Sequence, residues 1–153
     1  MQLDIADLLA IQRLLARFAN SFDLKDWAAL GDCLCDTLHT DYSALRGTPP
    51  ETLTRERFVE LRRAALQPLR THHLAGNVEI DAEAADRASA RVSTVIFRRD
   101  ERDQTLNTHC LYHFGLRKSA DARWRLDRIV QQVFWSEGHK AIHAGILPPD
   151  EAR

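Results

Sequence analysis

Apolar side chains at Leu8, Ile11, Leu15, Phe18 and Phe22 recur at intervals of three and four. That spacing lines up one stripe of an α-helix and predicts a helix over residues 4–23. Asp4 and Asp7 stand at its start, where the helix dipole favours negative charge. A second short helix is predicted over 25–34, with Trp27, Leu30 and Leu34 on one face. Residues 37–44 read as extended, and Gly47-Thr48-Pro49-Pro50 as a loop. Thr54 is placed to cap a third helix that runs to about Gln67 and buries Phe58, Leu61 and Ala65. Pro68 ends it.

Beyond Pro68 the pattern changes to that of strands. Residues 72–81, 87–99, 104–118 and 123–136 are each predicted as a strand. The charged run Arg99-Asp100-Glu101-Arg102-Asp103 and the segment Ser119-Ala120-Asp121 supply the turns. Alternation places Thr108, Cys110, Tyr112 and Phe114 on one face of a strand, with Asn107, His109, Leu111 and His113 on the other. Helices first and a meander afterwards predict an α+β fold, with the N-terminal helices packed on one face of an antiparallel sheet. No repeat or linker interrupts the pattern. Residues 1–146 read as one domain and 147–153 as a flexible C-terminal tail.

Composition narrows the function. Hydrophobic residues make up 44% and charged residues 28% of the 153, which suits one globular domain rather than a disordered chain. A net charge of -1 argues against a nucleic-acid partner, which needs a basic face. Arg55, Arg57, Arg62 and Arg63 are interrupted by acids and read as a solvated helix face. There is no apolar run long enough to span a membrane and no signal-like start, and the three cysteines are an odd count, so a cytoplasmic setting with free thiols is expected. Arginine supplies 18 of the 21 basic residues, a bias associated with GC-rich bacterial genomes.

Candidate chemistry is sparse. Phosphate-loop, dinucleotide and nucleophile-elbow motifs are all missing. Cys33-x-Cys35 has no second pair of ligands, and His139 and His143 stand four apart without a third. No metal site is therefore expected, and the two histidines read as part of a surface helix. Asp23 closes the apolar stripe of the first helix, where a lone carboxylate would be costly. Either it caps the next helix or it pairs with a histidine at the start of the first long strand, His72 or His73. Strand alternation lets only one of those two face inward. Tyr42 offers a hydroxyl, either as a donor in a pocket or at a strand rim.

The runs Ala19-Asn20-Ser21-Phe22-Asp23-Leu24-Lys25-Asp26-Trp27, Thr37-Leu38 with Asp41-Tyr42, Arg70-Thr71-His72-His73, and Trp124 to Trp135-Ser136-Glu137 resemble, in order, stretches of scytalone dehydratase-like and SnoaL-like proteins of the nuclear transport factor-like superfamily. The resemblance implies a cone in which the curved sheet and helices enclose a deep apolar pocket. It also implies a dimer or trimer and no metal or organic cofactor. Asp23 would orient His73, His73 would act as base, and Tyr42 would hold a carbonyl-linked oxygen. This pairing is also similar to that of hexachlorocyclohexane dehydrochlorinases. Phe22 stands where scytalone dehydratases carry a second tyrosine. Phe97 falls near the position of their second histidine, and Cys110 and Tyr112 near a serine and an asparagine. Phe22, His72, Phe97, Cys110 and Tyr112 are accordingly expected as substrate-binding residues, and scytalone itself is an unsuitable substrate. The implied function is a cofactor-independent lyase or isomerase that takes a carbon-bound proton from a hydrophobic cyclic small molecule. The alternatives are a non-catalytic small-molecule-binding module and a structural partner of the kind formed by the small subunit of a ring-hydroxylating dioxygenase.

Overall fold

The structure, a computed structural model, describes residues 2–148. Helix α1 (Ile5–Asp23) is capped by Asp4, whose side chain accepts the Asp7 N–H at 2.7 Å. Helix α2 (Trp27–Asp32) is capped by Asp26. Strand β1 (Leu34–Asp41), the single-turn helix α3 (Ser43–Arg46) and strand β2 (Glu51–Thr54) follow. Thr54 caps helix α4 (Arg55–Leu66) as the sequence predicts, its Oγ1 accepting from Arg57 N at 3.2 Å. The meander then runs through β3 (Arg70–Ala84), β4 (Arg87–Arg99), β5 (Thr105–Lys118) and β6 (Trp124–Gly138). The expected α+β class and curved sheet are both present. Among the described residues, no helix is long and apolar enough to cross a membrane.

Local differences from the sequence reading lie between Cys33 and Thr54. The second helix stops at Asp32, and Leu34 opens β1 instead of ending the helix. Ala44 is helical, in α3, rather than extended. The sheet order is β2-β1-β6-β5-β4-β3. All neighbours are antiparallel except β1 and β6, which pair in parallel.

One face of the sheet is covered. From α1, Ile11, Leu15, Phe18 and Phe22 are buried against Val92 of β4, Phe114 and Leu116 of β5, and Ile129 of β6. The Phe18 ring meets Phe22 edge-on at 5.1 Å and Phe114 at 5.4 Å. Burying each such ring stabilises the fold by about 1.5–3 kcal/mol. The start of α1 is tied to the last hairpin by Asp7, which accepts from Trp124 Nε1 at 2.8 Å and pairs with Lys118 at 3.0 Å. On the opposite sheet face, Leu74, Phe97 and Trp135 are exposed.

The chain leaves β6 at Gly138, whose φ of 110° is open to glycine and strained for other residues. A Cβ there would also collide with the Thr105 carbonyl. The turn Lys140–Ile142 follows, and the next residues return to α3, where Leu147 N donates to Arg46 O at 2.9 Å. Of the expected flexible tail, residues 149–153 lie outside the described residues.

Candidate functional site

Asp23 is the last residue of α1 and points at the first turn of β3. Its Oδ2 accepts the backbone N–H of His73 at 2.7 Å. Its Oδ1 meets His73 Nδ1 at 2.7 Å and accepts from Thr71 Oγ1 at 2.9 Å. Asp26, not Asp23, caps the following helix. Both members of the pair are shielded, with side-chain exposures of 6% for His73 and 16% for Asp23. Burial works to raise the Asp23 carboxyl, but the hydrogen bonds from His73 and Thr71 outweigh it and hold the group below the usual carboxylate range. For His73, burial dominates and pulls the imidazole below the ordinary histidine value, against the attraction of Asp23. Near neutral pH this gives an anionic Asp23 and a neutral His73 that donates through Nδ1. The lone pair of Nε2 is then free to accept a proton. Phe22 stacks on the imidazole at 5.1 Å and fixes its plane.

His73 lines a small cavity of about 20 Å³ together with Phe22, Tyr42, Tyr112 and Gln131. That is room for about one water. Tyr42 lies between β1 and α3 and reaches inward at 7% exposure, its ring edge-on to Tyr112 at 6.5 Å. Burial pushes the Tyr42 phenol up to about 12 and raises the Tyr112 phenol well above its usual value. Both therefore stay neutral and able to donate. Tyr112 accepts from Gln131 Nε2 at 3.2 Å and stacks on Phe114 at 5.2 Å.

Four of the eight expected site residues surround this cavity with Asp23 behind them: His73, Tyr42, Phe22 and Tyr112. Cys110 shares the inward face of β5 but lies below the cavity wall, donating to Thr94 O at 3.5 Å. Burial pushes its thiol up to about 11, so it is held as an unreactive packing group. His72 and Phe97 do not belong to the cavity. They face each other across β3 and β4 on the outer side of the sheet, stacked at 6.2 Å, in a separate groove of about 330 Å³. The reason is the strand period: a one-residue slip in register moves a side chain to the other face. The inward residues of β4 are Ile96 and Arg98, on either side of Phe97.

The cavity is not the apolar cup that the resemblance implies. Arg46, Arg62 and Arg98 line it, together with His143. Arg62 was expected on a solvated face but is 4% exposed. It sits four residues after Phe58 and three before Ala65, on the apolar stripe of α4 itself. Alternation with Val92, Thr94 and Ile96 likewise brings Arg98 inward, a placement legible in the strand period. His143 was expected on a surface helix. It is 3% exposed, and its Nδ1 accepts from Gly145 N at 3.0 Å. Burial, reinforced by the charges of Arg98, Arg62 and Arg46, lowers its imidazole to about 3. Among the described residues, no group of three or more His, Cys, Asp or Glu side chains is placed to hold a metal ion.

Comparison with known proteins agrees with this architecture. The scytalone dehydratase-like protein of Claviceps purpurea (strain 20.1) is 28% identical over 142 residues, spanning 86% of this chain and 89% of that one. The crystal structure of the Kfla4162 protein of Kribbella flavida superposes with a TM-score of 0.82 at 22% identity, covering 90% of this chain and 96% of that one. The hexachlorocyclohexane dehydrochlorinase LinA-type3 of Novosphingobium barchaimii LL02 gives 0.75 at 16% identity, covering 95% and 97%. At these identities the two structures speak for the fold, which is the SnoaL-like, nuclear transport factor-like cone expected from the sequence. The SnoaL-like domain family matches residues 4–130, and the chain belongs to that family.

Proposed function

We propose that this protein is a cofactor-independent lyase or isomerase in which His73 removes a carbon-bound proton from a cyclic small molecule. The observation that carries the reading is the 2.7 Å contact between Asp23 Oδ1 and His73 Nδ1, with His73 at the wall of a small cavity. Asp23 holds the ring and stabilises the imidazolium that forms, and Nε2 takes the proton. The C–H electron pair moves toward an adjacent carbonyl, and the enolate oxygen accepts a hydrogen bond from Tyr42, with Tyr112 beside it. In a dehydration, the enolate expels a hydroxyl from the neighbouring carbon. The imidazolium returns its proton to that oxygen, which leaves as water. In an isomerisation the same proton returns to another carbon. The scytalone dehydratase-like relative and the dehydrochlorinase with the same fold support elimination chemistry of this type.

The test is a panel of cyclic ketones and hydroxy ketones incubated with the wild type and with His73→Ala, with products followed by mass spectrometry. A product formed by the wild type and lost in the variant is expected. Equal turnover by both would remove His73 as the base. The small volume of the cavity, about 20 Å³, favours a second reading, a ligand-binding module that performs no chemistry. Binding without any product across the panel would support that reading instead.

A further inference from the structure

The chamber beside His73 holds three guanidinium groups and no carboxylate. Arg46 comes from α3, Arg62 from α4 and Arg98 from β4, at 9%, 4% and 4% exposure. Among the described residues none of the three forms an ion pair. Arg46 is committed to the Gly145 carbonyl at 2.8 Å, and Arg98 donates to Thr108 Oγ1 at 2.9 Å. Arg62 has only the faces of Tyr42 at 5.1 Å and Phe58 at 5.5 Å. The Nε atoms of both Arg62 and Arg98 are buried without a partner.

Burying one unpaired cation costs several kcal/mol, and neighbouring like charges add to that. The carboxylate of Glu51, an exposed residue outside the chamber, attracts Arg46 and Arg62 from a distance without forming an ion pair, and no carboxylate acts on Arg98. Tyr42 and Tyr112 are neutral phenols, and His143 is a neutral imidazole whose Nδ1 is already an acceptor, which puts its proton on Nε2. The wall is thus rich in donors. The unused acceptors are the Oε1 of Gln131 and the Nε2 of His73. A wall with this excess of donors and positive charge suits an anion.

We infer that the substrate carries a carboxylate on its ring and that Arg62 and Arg98 anchor it in this cavity. The guanidinium fork matches a planar carboxylate in two parallel hydrogen bonds. The Phe22, Tyr42 and Tyr112 rings and Ile96 supply flat apolar walls for the ring that bears it. A ring needs more space than one water, so part of the wall moves aside when it binds. The segment after Gly138, which brings His143 to the cavity wall, is tied to α3 by the Arg46 Nε to Gly145 O and Leu147 N to Arg46 O hydrogen bonds, and it is the part that moves in this inference. This inference rests on the proposal that the chamber is the reaction site, but its test does not require turnover.

The experiment is titration calorimetry with benzoate and 1-naphthoate, their neutral amides, and inorganic phosphate. The wild type, Arg62→Met, Arg62→Lys and His73→Ala are compared. The wild type is expected to bind the acids at least about tenfold more tightly than the amides, the worth of one charge-assisted hydrogen bond. Arg62→Met should lose that preference, Arg62→Lys should keep part of it, and His73→Ala should keep it. Equal binding of acid and amide, binding of neither, or phosphate binding as tightly as the acids would overturn the inference, and the wild type alone decides these if Arg62→Met does not fold. A preference for acids with no His73-dependent turnover would leave the anchor and remove the lyase reading. Turnover of neutral rings without that preference would do the reverse.

Discussion

The Asp23 carboxylate holds His73 at two points, taking its backbone N–H through one oxygen and its ring nitrogen through the other, each at 2.7 Å. The end of α1, the start of β3 and the orientation of the imidazole are therefore set by one side chain. An asparagine cannot supply two anionic oxygens, and its NH₂ group facing Nδ1 would favour the wrong tautomer. Asp23→Asn is expected to lower kcat by about 10²–10⁴-fold with little change in KM. Steady-state kinetics on a substrate found in the panel checks this. A wild-type kcat in the variant would mean that the pair is structural.

Adjacent histidines on one strand give an internal control. His73 is enclosed, while His72 stacks on Phe97 on the outer face of the sheet. His72→Ala should leave kcat within about twofold, whereas His73→Ala should lose the same 10²–10⁴-fold expected of a general base. The acidic limb of the kcat/KM profile should lie below the ordinary histidine pKa of about 6.5, because burial lowers His73. A limb above that value, or equal losses in the two variants, would contradict the assignment.

Tyr42 is buried, and burial keeps its phenol neutral. If it donates to a developing enolate oxygen, Tyr42→Phe should reduce kcat by about 10²–10³-fold, the range for loss of one preorganised donor. The ring keeps its contact with Phe58 and its place beneath Arg62, so the melting temperature should change little. A large drop in stability with unchanged kcat would assign the hydroxyl to folding instead.

These sites were legible in the sequence to different degrees, for identifiable reasons. The stripe through Ile11, Phe18 and Phe22 and the alternation through Cys110, Tyr112 and Phe114 both follow from element periods, and both are buried as predicted. Asp23 was conspicuous because a carboxylate at the end of an apolar stripe needs a partner. His72 and His73 could not be separated, since a strand period shows that two neighbours face apart but not which one faces in. Arg62 was misread because charge was weighed above position, and Arg98 was not singled out although the strand period places it. Arg62 lies on the apolar stripe of α4 and Arg98 on the inward alternation of β4. The parallel pairing of β1 with β6 joins segments about 90 residues apart in the chain, and no local pattern encodes it.

His143 makes the last prediction. Its imidazole lies at about 3 in the folded protein, because of burial first and then the charges of Arg98, Arg62 and Arg46. In the unfolded chain it returns to about 6.5. Between those values the unfolded state binds a proton that the folded state refuses, so stability falls as the pH drops from about 6.5 toward 3. The slope for this one group reaches about 1.4 kcal/mol per pH unit. His73 is lowered too and acts in the same direction. The carboxylates held low by their partners, Asp7 and Asp23 among them, add to the loss only below about pH 4. His143→Gln keeps an acceptor for the Gly145 N–H and removes the titration. Thermal melts from pH 7 to pH 4 should therefore show a shallower fall in melting temperature for His143→Gln than for the wild type. Parallel curves would mean that His143 takes up its proton without leaving the fold, by swinging out with the segment that follows Gly138.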